Sequence, residues 1–164
     1  MTKIYASFTS KIVIVGFGSI GQGVLPLILR HIKIDKKNIS IVTADDRGRE
    51  IAKKEGIAFY INPLTLKNYK KILNPLLGDG GFLINLSVDV SSIDLIRFCH
   101  ERGTLYLDTS IEPWAGGYCD PSLTMSERSN YGLRESVLKL KREFNGGTTA
   151  ITTHGANPGL ISHF

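Results

Sequence analysis

The chain has 164 residues, 42% of them hydrophobic and 21% charged, with a formal net charge of +5. That is the size and composition of one globular domain with a real core, and no apolar run is long enough to span a bilayer. The segment Met1–Phe8 lacks the continuous apolar stretch of a signal peptide, so a cytoplasmic protein without membrane association is expected.

The first element is the apolar run Ile12–Val15, which feeds straight into Gly16-Phe17-Gly18-Ser19-Ile20-Gly21. A buried parallel strand followed by Gly-x-Gly-x-x-Gly and a helical pattern is the opening of a dinucleotide-binding βαβ unit. Gly16 allows the sharp turn, Gly18 lets a pyrophosphate approach the backbone, and Gly21 lets the helix pack close to the strand. The helix N-terminus then presents free N–H groups to the phosphates. The alternative is an empty structural turn. Ile20, Val24, Leu27 and Ile28 are expected on one face of this helix, and Pro26 is expected to kink it or to delay its start.

A second strand is predicted at Ile39–Val42, a helix at Arg47–Glu55 closed by Gly56, and a third strand at Ile57–Ile61. Thr65 is positioned to cap a helix with the face Leu66, Tyr69, Ile72 and Leu73. Phe82–Val88 reads as a fourth strand buried on both sides. Ser91 and Asp94 form a capping box for a helix that runs to Arg102 and stops at Gly103. Thr104–Asp108 is the fifth strand. After an irregular stretch around Ala115–Pro121, Thr124 and Glu127 offer another capping box, ahead of a helix carrying Leu133, Val137, Leu140 and Phe144. Thr148–Thr153 is the sixth strand. The alternation of strands and helices predicts an α/β class: a doubly wound Rossmann-type, mostly parallel sheet with helices on both faces. Cys99 and Cys119 have no metal-ligand spacing, so two unpaired thiols and no metal site are expected. The lysine pairs Lys36-Lys37, Lys53-Lys54 and Lys70-Lys71 are scattered over helical patterns, which argues against a nucleic-acid surface.

In an open α/β sheet, ligands bind beyond the carboxyl ends of the strands. The second strand ends near Asp45, whose carboxylate suits an adenosine ribose and disfavours a 2′-phosphate; Asp46 is the alternative, and Arg47 and Arg49 keep NADP open. The fourth contains Asn85-Leu86-Ser87, small polar groups suited to the ribose and nicotinamide half of a cofactor, or else an ordinary strand with a satisfied Asn. The fifth ends in Asp108-Thr109-Ser110-Ile111-Glu112-Pro113-Trp114. Glu112 there suits a cationic substrate or proton transfer, and Trp114 suits stacking on a nicotinamide or an ammonium. A strand-end cap over a packed Trp is the alternative. The sixth runs into His154-Gly155-Ala156-Asn157-Pro158-Gly159, where Asn157 offers both a donor and an acceptor.

Three segments together resemble the bacterial homospermidine synthase family: Val15 through Gly23, Leu107 through Trp114, and His154 through Gly159. The last two are the more specific, and the resemblance covers almost the whole chain. The wider group is similar to saccharopine dehydrogenase relatives. The resemblance implies an NAD-dependent aminobutyl transfer that makes homospermidine from putrescine, or from spermidine as donor, through imines. The hydride is removed and returned by the same bound NAD. It implies NAD binding by Gly16, Phe17, Gly18, Ser19, Ile20, Gly21, Asp45, Asn85, Leu86, Ser87, Thr109, Ser110, Ala156, Asn157 and Pro158, with Glu112, Trp114 and Asn157 at the catalytic centre. Residues 1–164 are expected to form the NAD-binding domain, with a substrate domain beyond Phe164 that the fragment needs for turnover. A homodimer is expected on general grounds. Two other readings stand beside this one: a saccharopine-type NAD(P)-dependent dehydrogenase or reductase, and a non-catalytic NAD-sensing module.

Overall fold

The computed structural model describes residues 3–153. The described elements are β1 (Ala6–Ser7), β2 (Ile12–Val15), α1 (Ser19–His31), β3 (Ile32–Lys33), β4 (Ile39–Thr43), α2 (Arg49–Glu55), β5 (Ala58–Ile61), α3 (Tyr69–Leu77), β6 (Phe82–Asn85), α4 (Ser92–Glu101), β7 (Leu105–Asp108), α5 (Asn130–Glu143) and β8 (Ala150–Ile151). Six of the strands make one sheet in the order β5-β4-β2-β6-β7-β8. Every neighbouring pair is parallel. Counting only these strands, the order is 3-2-1-4-5-6, the doubly wound Rossmann arrangement.

The period-two alternation of β2 divides the core. Val13 and Val15 point to one face, under α3, α4 and α5 with Leu73, Leu95, Phe98, Tyr106 and Leu140. Ile12 and Ile14 point to the other, under α1 and α2 with Leu25, Ile28, Ile41 and Ala52. Both faces of the central strands are therefore apolar, as a parallel sheet requires. The crossover between α1 and β4 holds a short strand, β3, on which the N-terminal β1 pairs in parallel.

Several local expectations are corrected. Helix α1 begins at Ser19 and runs through Pro26, so its start is not delayed. Its buried face is Gly21, Leu25 and Ile28, while Ile20 and Leu27 are 56% and 52% exposed. The cause is Gly21: a Cβ there would lie 3.0 Å from both the Gly16 carbonyl and the Phe17 ring, so contact at this residue fixes the rotation of the helix. Thr65 does not cap α3. The Asn68 side chain accepts from the Thr65 N–H at 2.7 Å, closing a turn and leaving the helix to start at Tyr69, with Leu66 exposed.

Strand β6 stops at Asn85 rather than Val88, because Asn85 Oδ1 accepts from the Ser87 N–H and Oγ and bends the chain there. The Thr124–Glu127 box does form, but it closes its own turn; Ser129 caps α5 by accepting from the Gly132 N–H. Strand β8 is shorter than predicted, at two residues. Among the described residues, no helix is long and apolar enough to cross a membrane.

Candidate functional site

The carboxyl ends of β2, β4, β6 and β7 meet at one edge of the sheet, where the strand order reverses between β2 and β6. This crevice is the topological switch point, the general place for a ligand in such a sheet. Gly16 turns the chain out of β2 with φ +83°, and a Cβ on it would stand 2.7 Å from the Ser87 backbone. The glycine therefore lets the first loop press against the end of β6.

Gly18 is different. It precedes α1 as its N-cap with no capping side chain, and a Cβ on it would meet nothing within 4 Å. The protein itself does not need a glycine there, yet the first turn of a thirteen-residue helix opens onto that space. Unpaired N–H groups and the positive end of the helix dipole make it a seat for an anion, and a dinucleotide pyrophosphate fits it chemically. Ser19 and Ile20 are exposed on this rim. Phe17 brings only its backbone, because its ring is buried at 1% exposure and packs edge-on against Phe59. Its carbonyl accepts from Gln22 Nε2 at 3.0 Å, which braces the loop.

Beyond β4, Asp45 is already engaged. Arg47 donates to its Oδ2 from Nε at 2.8 Å and from Nη2 at 2.7 Å, and the Arg47 N–H donates to Oδ1 at 3.0 Å. The guanidinium hydrogen bond holds the Asp45 carboxyl below its usual range. The expected ribose acceptor and the expected 2′-phosphate cation are thus folded onto each other. Arg49 lies over the Phe59 ring at 5.8 Å.

Beyond β6 and β7 the polar groups are buried and linked. Asn85 is 1% exposed and Asp108 4%. Asn85 Nδ2 donates to the Tyr106 hydroxyl at 3.4 Å, and that hydroxyl donates to Asp108 Oδ2 at 2.9 Å. Asp108 Oδ1 accepts from the Thr153 N–H at 2.9 Å. Burial pushes the Asp108 carboxyl up, opposed by hydrogen bonds from the Thr153 backbone and Tyr106. Burial likewise raises the Tyr106 phenol, and Asp108 adds to it. Leu86 and Ser110 are half-buried and Thr109 is exposed.

Glu112 is buried at 9% exposure. Its Oε1 accepts from Ser110 Oγ at 2.7 Å, and its N–H donates to Ser92 Oγ at 3.1 Å. It lines an open cleft of about 650 Å³ with Ser91, Ile93, Trp114 and Leu133. The Trp114 indole N–H donates to Asp94 Oδ2 at 2.6 Å, and its ring centroid is 5.5 Å from that of Tyr69. Asp94 was expected only as half of a capping box; Ser91 Oγ does accept from the Asp94 N–H, but the carboxylate holds Trp114. Tyr118 hangs over this region, its hydroxyl 3.4 Å from the Ile111 carbonyl, its phenol raised to about 12 by burial and by the nearby Glu112 charge.

Ala156, Asn157 and Pro158 lie outside the described residues. Sequence reasoning missed Tyr106, Gln22 and Tyr118. A signal for Tyr106 was present: residues two apart on a strand share a face, so Tyr106 must lie beside Asp108.

Comparisons with known proteins place the chain in a family. Residues 12–151 match the family model described as the saccharopine dehydrogenase NADP binding domain. The chain belongs to that family. A homospermidine synthase of Mesorhizobium japonicum is 47% identical over 98% of this chain, and one of Blastochloris viridis is 46% identical over 98%. The chain spans 34% of the length of each. The crystal structure of a homospermidine synthase from Legionella pneumophila in complex with NAD superposes with a TM-score of 0.81 at 36% identity, over 99% of this chain and 32% of that one. The Rossmann-type fold expected from the sequence is the fold of the family member.

Proposed function

We propose that this chain is the NAD-binding part of a homospermidine synthase, which joins two putrescine aminobutyl units through imines with no net redox change. The reading is carried by similarity of 46–47%, along nearly the whole chain, to two proteins of that name. The open Gly18 seat and the buried Glu112 beside a cleft support it.

NAD, when bound, supplies a hydride acceptor that takes the hydride from the amine carbon and gives it back after the amines have exchanged. The chain's own groups have separate tasks. The Gly16–Gly21 loop and the first turn of α1 hold the pyrophosphate by backbone N–H groups. Asp45, with Arg47 folded against it, faces the adenosine side. Asn85, Leu86, Ser87, Thr109 and Ser110 wall the nicotinamide side, with Ala156, Asn157 and Pro158 assigned to the same wall by sequence. Glu112 attracts the diamine cation by a charge-assisted contact, and its low exposure strengthens that attraction. Trp114, held by Asp94, presents an apolar wall that keeps water from an imine.

Putrescine and spermidine are the proposed amine substrates, in the cytoplasm. The test is direct. The complete protein is given putrescine without reduced cofactor, homospermidine is sought by mass spectrometry, and NADH absorbance is followed. Homospermidine without net NADH is expected. Net NADH without homospermidine would instead favour a dehydrogenase, and neither product would overturn the amine reading.

A further inference from the structure

Tyr106 sits in β7, 1% exposed, with its ring in the apolar cluster under α3, α4 and α5. Its hydroxyl is the only polar side-chain atom it adds, and that hydroxyl both accepts and donates a hydrogen bond. It accepts from Asn85 at the end of β6 and donates to Asp108 at the end of β7. Asn85 in turn accepts from the N–H and hydroxyl of Ser87, against whose backbone Gly16 is pressed. Asp108 reaches the Thr153 N–H just beyond β8. The register makes this continuous, because Asn85 and Asp108 are directly paired across β6 and β7, with Tyr106 two residues below on the same face.

The result is one chain of hydrogen bonds, buried at its centre, from Ser87 at the exit of β6 to Thr153 beyond β8. It links the exits of three strands, β6, β7 and β8, through side chains in addition to their backbone pairing. Buried polar networks of this kind add little net stability over apolar packing. Fully satisfied, they fix one arrangement of the groups they join.

We propose that Tyr106 is a positioning residue for the cofactor: through Asn85 and Asp108 it sets the spacing between the Gly16–Ser87 contact and the exit of β8, and so the width of the nicotinamide half of the crevice. It touches no ligand itself. The proposal rests on the NAD-binding reading above, and it separates the two halves of the dinucleotide. The pyrophosphate and adenosine half is held by the α1 N-terminus and the β4 end, to which the network makes no hydrogen bond; it meets the glycine loop only where Gly16 packs on Ser87. The nicotinamide half lies against the strand exits that it does join.

The test is Tyr106→Phe in the complete protein, with the affinities of NAD and of ADP-ribose measured by calorimetry. ADP-ribose carries the whole molecule except the nicotinamide ring. Expected is a loss of fivefold or more for NAD, on the order of a lost hydrogen bond, with ADP-ribose held within twofold. An unchanged NAD affinity in the folded variant overturns the proposal. So does an equal loss for both ligands, which would mark general damage to the domain. If Tyr106→Phe fails to fold, Tyr106→Phe combined with Asp108→Asn, which removes the carboxylate left without its donor, is read by the same split and the same criteria. A wild-type protein that binds neither ligand removes the NAD reading itself, a result distinct from either of these.

Discussion

The two glycines at the start of the loop should respond in opposite ways to substitution. A side chain on Gly18 meets no protein atom within 4 Å, and its φ of −72° is ordinary for any residue. Gly18→Val should therefore change stability by less than about 1 kcal/mol, a small loss at the N-cap being offset by a less flexible unfolded chain. Its branched side chain nevertheless fills the space in front of the first turn of α1. If a pyrophosphate sits there, at least two charge-assisted hydrogen bonds of about 1.5–3 kcal/mol each are lost. The expected fall in NAD affinity is then roughly 10²- to 10⁴-fold.

Gly16→Ala should do the reverse. The left-handed backbone at φ +83° costs an ordinary residue about 1–2 kcal/mol. A Cβ only 2.7 Å from the Ser87 backbone adds overpacking of about 1–3 kcal/mol. For a domain of this size that lowers the melting temperature by roughly 4–20 °C. The assay is a thermal melt of each variant with and without NAD, together with a titration. A folded Gly18→Val protein whose NAD affinity stays within threefold of wild type would refute the placement of the pyrophosphate.

The Asp45–Arg47 clasp should set cofactor choice. Releasing the cation with Asp45→Ala should raise NADP affinity about tenfold, and exposing the carboxylate with Arg47→Ala should lower it similarly; titrations in which neither variant changes the NAD-to-NADP ratio by more than twofold would sink this idea. Asp108 should make stability depend on pH. Its folded value lies above the unfolded one, so its contribution is fully present below the ordinary carboxylate value and is lost as pH rises through the folded value, by about 1.4 kcal/mol for each unit between the two. Asp108→Asn mimics the protonated acid, so the variant should match wild type near pH 4 and gain on it toward pH 7. A difference in melting temperature that is flat across that range would count against it.

The fold was legible because its signals are local and repeated. Four apolar residues in a row at Ile12–Val15, then glycines at 16, 18 and 21, point to a buried strand and a close helix. The order of the other strands follows from right-handed crossovers. Helix starts were less legible, because Thr65 and Asn68 compete for the same turn and only the side-chain hydrogen bond of Asn68 decides it. At the candidate site, positions were legible and pairings were not. Asp45, Arg47, Glu112 and Trp114 all stand at the expected strand ends, but which partner each takes depends on neighbours that spacing does not reveal. Asp94, twenty residues before Trp114, takes its indole. Arg47, two residues after Asp45, takes its carboxylate.

That difference has a physical root in where the polar groups lie. Along most of the sheet, burial is apolar and tolerant, so the pattern alone suffices. At the carboxyl edge, Asn85, Ser92, Asp108 and Glu112 are all buried together, and each buried polar group must find a specific donor or acceptor or lose stability. A chain selected only for stability gains little by gathering them there. Gathered beside an open helix N-terminus, they provide fixed dipoles around a crevice from which water can be excluded when a ligand fills it. An imine, which the proposed reaction would form, lasts only where mobile water is kept from it.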